Sequence, residues 1–175
     1  MRLKVVFSFL GTLLIFIGVS MVVPLITALL YRDIDGIAFI VAMGFTIVVG
    51  QVLRNLATGE ENLRHREGFA IVTLGWLLIS IFGAIPFMLA GVFDNFVDAF
   101  FESVSGFTTT GATVIMSLES LSPTILIWRS LMHWLGGMGI IVMSIVILPE
   151  LAGSMQLFKA EVPGPIHERL KPRSK

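Results

Sequence analysis

Ser105-Gly106-Phe107-Thr108-Thr109-Thr110-Gly111-Ala112-Thr113 lies between two long apolar runs, and its polarity sets it apart from a plain membrane helix. It follows a short stretch, Asn95 to Ser105, too brief to cross a bilayer, and it precedes a full-length run beginning near Pro123. A hydrocarbon core of about 30 Å calls for roughly 20 helical residues. Helix, short descending segment, Thr/Gly loop, helix is the layout of a cation-channel pore repeat. In such a repeat the loop carbonyls stand in for an ion's water shell.

Working outward, the composition is that of a membrane chain. Hydrophobic residues make up 55% of the 175 residues and charged residues 14%, where a soluble domain carries about a quarter charged. Four runs are long enough, or nearly so, to span. Val5 to Leu30 is about 26 residues, roughly 39 Å of helix. Ile37 to Leu53 is about 17 residues, near the short limit; Gly68 to Val92 is about 25 and Pro123 to Leu148 about 26. The first run is too long for the core of a signal peptide, and no small-x-small cleavage site follows it. The expected fold is therefore all-α and integral to the membrane. Two N-terminal transmembrane helices precede one helix–pore loop–helix repeat like that of a K+ channel.

Loop charges orient these runs. Arg2 and Lys4, then Arg54, Arg64 and Arg66, then Lys159, Arg169, Lys171, Arg173 and Lys175 fall on one side if four runs span. They are ten of the twelve basic residues. Positive-inside then places both termini in the cytoplasm of a plasma-membrane protein. The opposite side receives Arg32 with Asp33, Asp35, Asp94 and Glu119, and the Asn95–Ser105 segment enters from there. The expected organisation is a helix pair over 1–54, a cytoplasmic linker over 55–67, the repeat over 68–149 and a cytoplasmic tail over 150–175. Tyr31-Arg32-Asp33-Ile34-Asp35-Gly36 reads as a polar hairpin. Ser122-Pro123 reads as N-cap and first turn of the last span. Pro149 follows that span, and Pro163-Gly164-Pro165 breaks the tail. Pro24 and Pro86 are candidate kinks.

Irregular main chain at membrane depth survives only where it lines water or is buried in protein. A short helix dipping inward aims the partial negative charge of its C-terminus at the bilayer centre, which favours a cation. Glycine reaches the left-handed region that lets successive carbonyls face one axis, and this singles out Gly111. All-oxygen ligation suits hard cations, and the loop carries no Asp or Glu. On spacing alone, an ordinary polar extracellular loop is an equally open reading.

The stretch Phe101-Glu102-Ser103-Val104 through Thr113 resembles the first pore loop of the Trk/Ktr potassium-transporter family, in particular its TrkH-like membrane subunit. Trp128-Arg129-Ser130-Leu131-Met132-His133-Trp134-Leu135-Gly136-Gly137-Met138-Gly139-Ile140-Ile141-Val142 is similar to the helix that follows it there. Glu161 through Pro165 and Leu170 through Arg173 are similar to the family's cytoplasmic connector, and the two spans before Arg54 to its extra N-terminal pair. The resemblance implies a K+ pathway of four helix–pore–helix repeats around a pseudo-fourfold axis. It also implies dimers of such pores, gated by cytosolic nucleotide-binding subunits. Carried onto this chain, the filter strand is Thr109, Thr110, Gly111 and Ala112, flanked by Thr108 and Thr113, with K+ as the transported ion and no cofactor. This chain carries the N-terminal pair and one repeat, so one loop supplies one quarter of a filter. The other quarters must come from further repeats in the same or separate chains. A single copy of these 175 residues is not expected to conduct. The competing reading is a non-transporting membrane interaction module or truncated remnant.

Other residues divide between structural and functional readings. Gly136, Gly137 and Gly139 sit inside a membrane run without a preceding strand, which favours close helix packing over a nucleotide loop; Gly11 and Gly18 read the same way. His133 is either a hydrogen-bonded helix residue or a proton relay. Arg129 either snorkels, pairs with an acid such as Glu102, or acts as a selectivity charge. Asp94, Asp98 and Glu102 recur every four residues, as a cation-attracting mouth or a solvated face. Trp76, Trp128 and Trp134 are candidate interface anchors, and Asn62 to Glu67 a charged link. His65, His133 and His167 are scattered, no serine has a His/acid partner at interpretable spacing, and there is no cysteine. These observations exclude disulfide and Cys-zinc chemistry and argue against an enzyme. Zero net charge gives no basis for nucleic-acid binding.

Overall fold

The computed structural model describes residues 3–56 and 65–141. Most of the predicted linker (57–64), the last run beyond 141 and the tail with Pro163-Gly164-Pro165 lie outside the described residues. A compact unit covers Met1–Gly137, and a second begins at Met138.

Within the described residues the structure is helical throughout. The helices are α1 (Leu3–Ser20), α2 (Val22–Tyr31), α3 (Gly36–Asn55), α4 (His65–Leu89) and α5 (Phe96–Phe107). A single 3-10 turn follows at Leu118–Ser120, and then a helix over 123–141, here α6. Three stretches are long and apolar enough to cross a membrane: Leu3–Tyr31, Gly36–Asn55 and Glu67–Leu89. A third of each is buried within the chain. Their outward faces are apolar as well, with Phe16, Leu29, Ile40, Val48 and Phe69 exposed. That inverts the polar exterior of a soluble helix.

The first run is broken at Met21. Pro24 lacks the amide that would bond to the Ser20 carbonyl. Met21 turns back to Gly18 O at 3.2 Å, and the Ser20 hydroxyl donates to Ile17 O at 2.6 Å. Pro86, by contrast, lies inside α4, which continues to Leu89. The start of α4 differs from expectation too: Glu67, read as part of a charged link, belongs to its first turn and is buried.

α1 packs most extensively on α3, and α4 on α5 and α1. The α1–α3 crossing depends on two glycines facing each other. A Cβ on Gly11 would lie 2.5 Å from Gly50 O, and one on Gly50 would lie 2.8 Å from Gly11 O. Without a hydrophobic drive between helices in lipid, such close backbone approach is what holds them. Gly18 plays the same part against Ile47. Trp128 on α6 is not an interface anchor. It is fully buried, its indole NH donates to Gly83 O at 3.1 Å, and its ring meets Phe39 and Phe107 edge-on at 5.9 and 6.4 Å. The burial of its NH and the pairing of its faces explain the correction: one side chain joins α3, α4 and α5 to α6.

The predicted hairpin between α2 and α3 does more than turn the chain. Arg32 adopts a left-handed conformation (φ 54°) that ends α2. Asp33 and Asp35 then reach the start of α6. Ser122 Oγ donates to Asp35 Oδ2 at 2.5 Å, Thr124 N donates to Asp33 Oδ2 at 3.4 Å, and Ile125 N donates to Ser122 Oγ at 3.4 Å. Ser122 is thus the N-cap, as predicted, with two carboxylates beside a helix N-terminus that favours negative charge. Burial works to raise the Asp33 pKa. The neighbouring Thr124 side chain, the Asp35 amide, the Ser122 hydroxyl and the Thr124 amide outweigh it and hold the carboxyl below its ordinary 3.8. The Thr124 hydroxyl is buried and makes no well-aligned hydrogen bond, so its effect on Asp33 is dipolar.

Two outcomes follow for stability. Gly50→Val is expected to cost about 1–3 kcal/mol by forcing α1 from α3, read as a lower melting temperature in detergent. Asp33→Asn is expected to cost about 1 kcal/mol at neutral pH. Because folding depresses the Asp33 pKa, its contribution is fully present above 3.8 and is lost as pH falls through the depressed value. The melting difference between wild type and variant therefore closes in acid, which a pH series of thermal melts measures.

Candidate functional site: the loop after α5

α5 begins with a reciprocal cap. Asp98 N donates to Asn95 Oδ1 at 2.9 Å, and Asn95 Nδ2 donates to Asp98 Oδ2 at 2.6 Å. Asp94 precedes the helix, so the three acids do not form one open face. Asp98 is committed to the cap, and Glu102 is 2% exposed. The cation-attracting mouth read from their spacing is thereby corrected.

The other end of α5 is seated against two helices. A Cβ on Gly136 would fall 1.8 Å from Phe107 O, and one on Gly83 would fall 2.6 Å from both Phe107 Cε2 and Ser103 Oγ. Gly106 rests on Met132, with a built Cβ 3.1 Å from Met132 Cβ. These contacts identify Gly136 as a packing glycine. Gly137 is looser, its nearest contact being Thr109 Cγ2 at 3.8 Å.

The chain then reverses through a paired hydrogen-bond motif. Thr110 N donates to Ser105 O and Thr109 N to Gly106 O, both at 3.0 Å. This is the Schellman arrangement, in which the reversing residue is left-handed and is usually glycine. α4 ends the same way with Gly91 at φ 70°. In α5 the position is filled by Thr109, at φ 58°. A β-branched residue there is a conformational outlier costing roughly 1–2 kcal/mol. Gly111, singled out from the sequence, is also left-handed at φ 76°. Thr109 is a named filter-strand residue, but its left-handed backbone has no signal in the sequence, because threonine favours extended backbone.

Residues 108–114 are exposed. The Thr108 hydroxyl donates to Val104 O at 2.7 Å and lies 2.8 Å from the Thr110 hydroxyl. Ser105 Oγ donates to Ala112 O at 2.5 Å, which ties the ascending limb to α5. The carbonyls of Thr109, Thr110 and Gly111 accept no hydrogen bond among the described residues. Behind the loop, Arg129 on α6 reaches Glu102 Oε1 through Nη2 at 2.6 Å and Nε at 2.7 Å. Glu102 also accepts from the Thr113 hydroxyl at 2.9 Å and the Val114 amide at 3.3 Å, both on Oε2. Of the readings for Arg129, pairing with Glu102 is the one observed. His133 Nδ1 lies 2.9 Å from Arg129 O, one turn back on α6. No group of three or more metal-ligating side chains occurs among the described residues.

Among the described residues, then, three stretches long and apolar enough to cross a membrane accompany a short capped helix that leads into an irregular Thr/Gly loop. The TrkH family, described as a cation transport protein, matches residues 36–174. The Trk system potassium uptake protein TrkH of Halomonas elongata is 43% identical over 178 residues, covering 99% of this chain and 37% of the relative. Its namesake in Escherichia coli K12 is 41% identical, with the same two coverages. The crystal structure of the potassium transporter TrkH from Vibrio parahaemolyticus superposes with a TM-score of 0.81 at 39% identity. That match covers 85% of this chain and 32% of that one. The chain therefore spans little more than a third of the length of these relatives, and it belongs to the TrkH family of cation transport proteins.

Gly136→Ala is expected to push the end of α5 off α6 and to cost about 1–3 kcal/mol or more. Gly137→Ala, whose added methyl would meet only Thr109 Cγ2 at an ordinary 3.8 Å, is expected to be tolerated. Side-by-side melting temperatures of the two variants test the seat.

Proposed function

We propose that this chain is a potassium-transport subunit, or the N-terminal part of one, whose residues Thr108 to Thr113 form one quarter of a selectivity filter. α4, α5 with its loop, and α6 then make one helix–pore loop–helix repeat within residues 68–149. Residues 1–54 are the accessory helix pair, 55–67 the cytoplasmic linker and 150–175 the cytoplasmic tail. The basic residues of those segments face the cytoplasm of a plasma-membrane protein. The remaining quarters come from further repeats, in the same or separate chains.

The observation that carries this reading is the run of carbonyls from Thr108 to Gly111, without hydrogen-bond partners among the described residues. Main-chain oxygens at membrane depth are costly unless water or an ion meets them. The preceding helix end adds partial negative charge, and the strained Thr109 marks a site where the surroundings over-determine the backbone. The Ala112 carbonyl, already held by Ser105, has one remaining lone-pair direction for a ligand. Glu102 is neutralised by Arg129, so the loop offers uncharged oxygens. That chemistry suits a monovalent cation stripped of water. The potassium named for the relatives is the cation this reading assigns.

Gly111→Val is the direct test. A built Cβ at Gly111 meets nothing within 4 Å, so the effect arises from forcing a β-branched residue to φ 76° rather than from crowding. In proteoliposomes of the assembled transporter, the rubidium-to-sodium uptake ratio is expected to fall at least about tenfold, equivalent to roughly 1.4 kcal/mol. Full flux with unchanged ratio would refute the filter assignment and favour a non-transporting membrane module.

A further inference from the structure

We infer that Glu102 is a positioning residue for the loop, and that its carboxylate brackets the exit of the ascending limb between α5 and α6. The inference rests on the filter reading above and adds the part that sets the filter's geometry. Glu102 sits on α5, five residues before the helix ends at Phe107. Its side chain is buried, and both of its oxygens are engaged. Oε1 takes Nη2 and Nε of the Arg129 guanidinium, at 2.6 and 2.7 Å, and lies 3.1 Å from the Thr113 hydroxyl. Oε2 takes the Thr113 hydroxyl at 2.9 Å and the Val114 amide at 3.3 Å. The Thr113 hydroxyl in turn accepts from Ile115 N at 3.1 Å.

Three segments are thereby joined by one side chain: the short helix, the limb that leaves the loop, and the helix that follows. The join matters because the limb has little else. Residues 110–115 form no regular secondary structure. Among the described residues, their hydrogen-bond ties to the rest of the chain are the Thr108–Thr110 hydroxyl pair, Ser105 to Ala112 O, two amides on Ser105 O, and the Glu102 bracket. Ser105 and Glu102 lie on successive turns of α5 and hold the limb at two heights. Between them the carbonyls of Thr109, Thr110 and Gly111 are left to a ligand. Charge is needed at Glu102 and not only shape. A buried guanidinium without its counter-charge is costly, and hydrogen bonds to an ionised acceptor are shorter and stronger than neutral ones. The ion pair fixes the carboxylate, and the carboxylate fixes the limb. Glu102 touches no transported ion in this scheme. It acts through Thr113 and Val114.

The test compares rubidium and sodium uptake in proteoliposomes of the assembled transporter. Glu102→Gln and Thr113→Val are each expected to lower the rubidium-to-sodium ratio about tenfold. Thr113→Ser, which restores the hydroxyl, is expected to keep more of the ratio than Thr113→Val. A purely structural role would lower yield or melting temperature and leave the ratio of the surviving protein alone, and that result overturns the inference. Should Glu102→Gln fail to assemble, Glu102→Asp decides, because it keeps the charge and shortens the reach to Thr113 and Val114; an unchanged ratio there overturns the inference. Gly111→Val is the reference. If it alters the ratio while the Glu102 and Thr113 variants do not, the bracket is wrong and the filter stands. If none of them alters it, the filter assignment falls as well.

Discussion

The end of α5 is fixed by contacts that leave no room for a side-chain atom. Phe107 lies between Gly83 and Gly136, each so close that a methyl group would overlap it, and its ring meets Trp128, whose indole is bonded to the Gly83 carbonyl. Packed interiors transmit small displacements because they have no slack. The start of the loop is therefore set by three helices at once, and every residue after Phe107 inherits that position. In lipid this kind of contact carries more weight than in water, since apolar faces gain nothing by leaving lipid for one another.

Polar ties complete the arrangement at two levels. At the start of α6, Asp33 and Asp35 meet Ser122 and Thr124, so the hairpin between α2 and α3 holds α6 through its N-terminus. Behind the loop, Glu102 and Arg129 form a buried pair. The two differ in energetic character. A partly exposed cap contributes about 1 kcal/mol, whereas breaking a buried pair leaves a charge uncompensated and costs about 3–5 kcal/mol. The outer tie adjusts how α6 is seated, and the inner one is the constraint the loop cannot lose.

Much of this was legible in the residues. Apolar run lengths placed the helices, Ser122-Pro123 marked the start of α6, and Gly111 was recognised as the residue able to turn left-handed. Gly11, Gly18 and Gly136 were recognised as packing residues because a membrane interior rewards small side chains. Pairing with an acid such as Glu102 is one of three readings the sequence leaves open for Arg129, since a charge in an apolar span needs a partner, and the structure selects it. What escaped depends on tertiary context. Thr109 takes a conformation its own preferences oppose. Trp128 is buried only because Phe39, Gly83 and Phe107 converge on it from distant positions. Glu102 looked solvated by its spacing from Asp98, yet α6 and the ascending limb cover it. The break at Met21 follows from Pro24 removing a bond three residues upstream, which pattern alone could not distinguish from the unbroken passage of Pro86 through α4.

The choice of threonine at 109 is informative in this light. Glycine would relieve the strain there, as Gly91 does at the end of α4. It would also enlarge the set of conformations open to the loop, since glycine visits many backbone states at little cost. Threonine admits few, and the Ser105 and Gly106 carbonyls select one of them by accepting from Thr110 and Thr109. Under the filter proposed above, which would distinguish two monovalent cations by how closely its oxygens approach, a narrow distribution of carbonyl positions is worth more than an unstrained one. The strain at Thr109, the left-handed Gly111 and the bracket at Glu102 then share a purpose. Each removes a freedom that a chain of irregular backbone would otherwise keep.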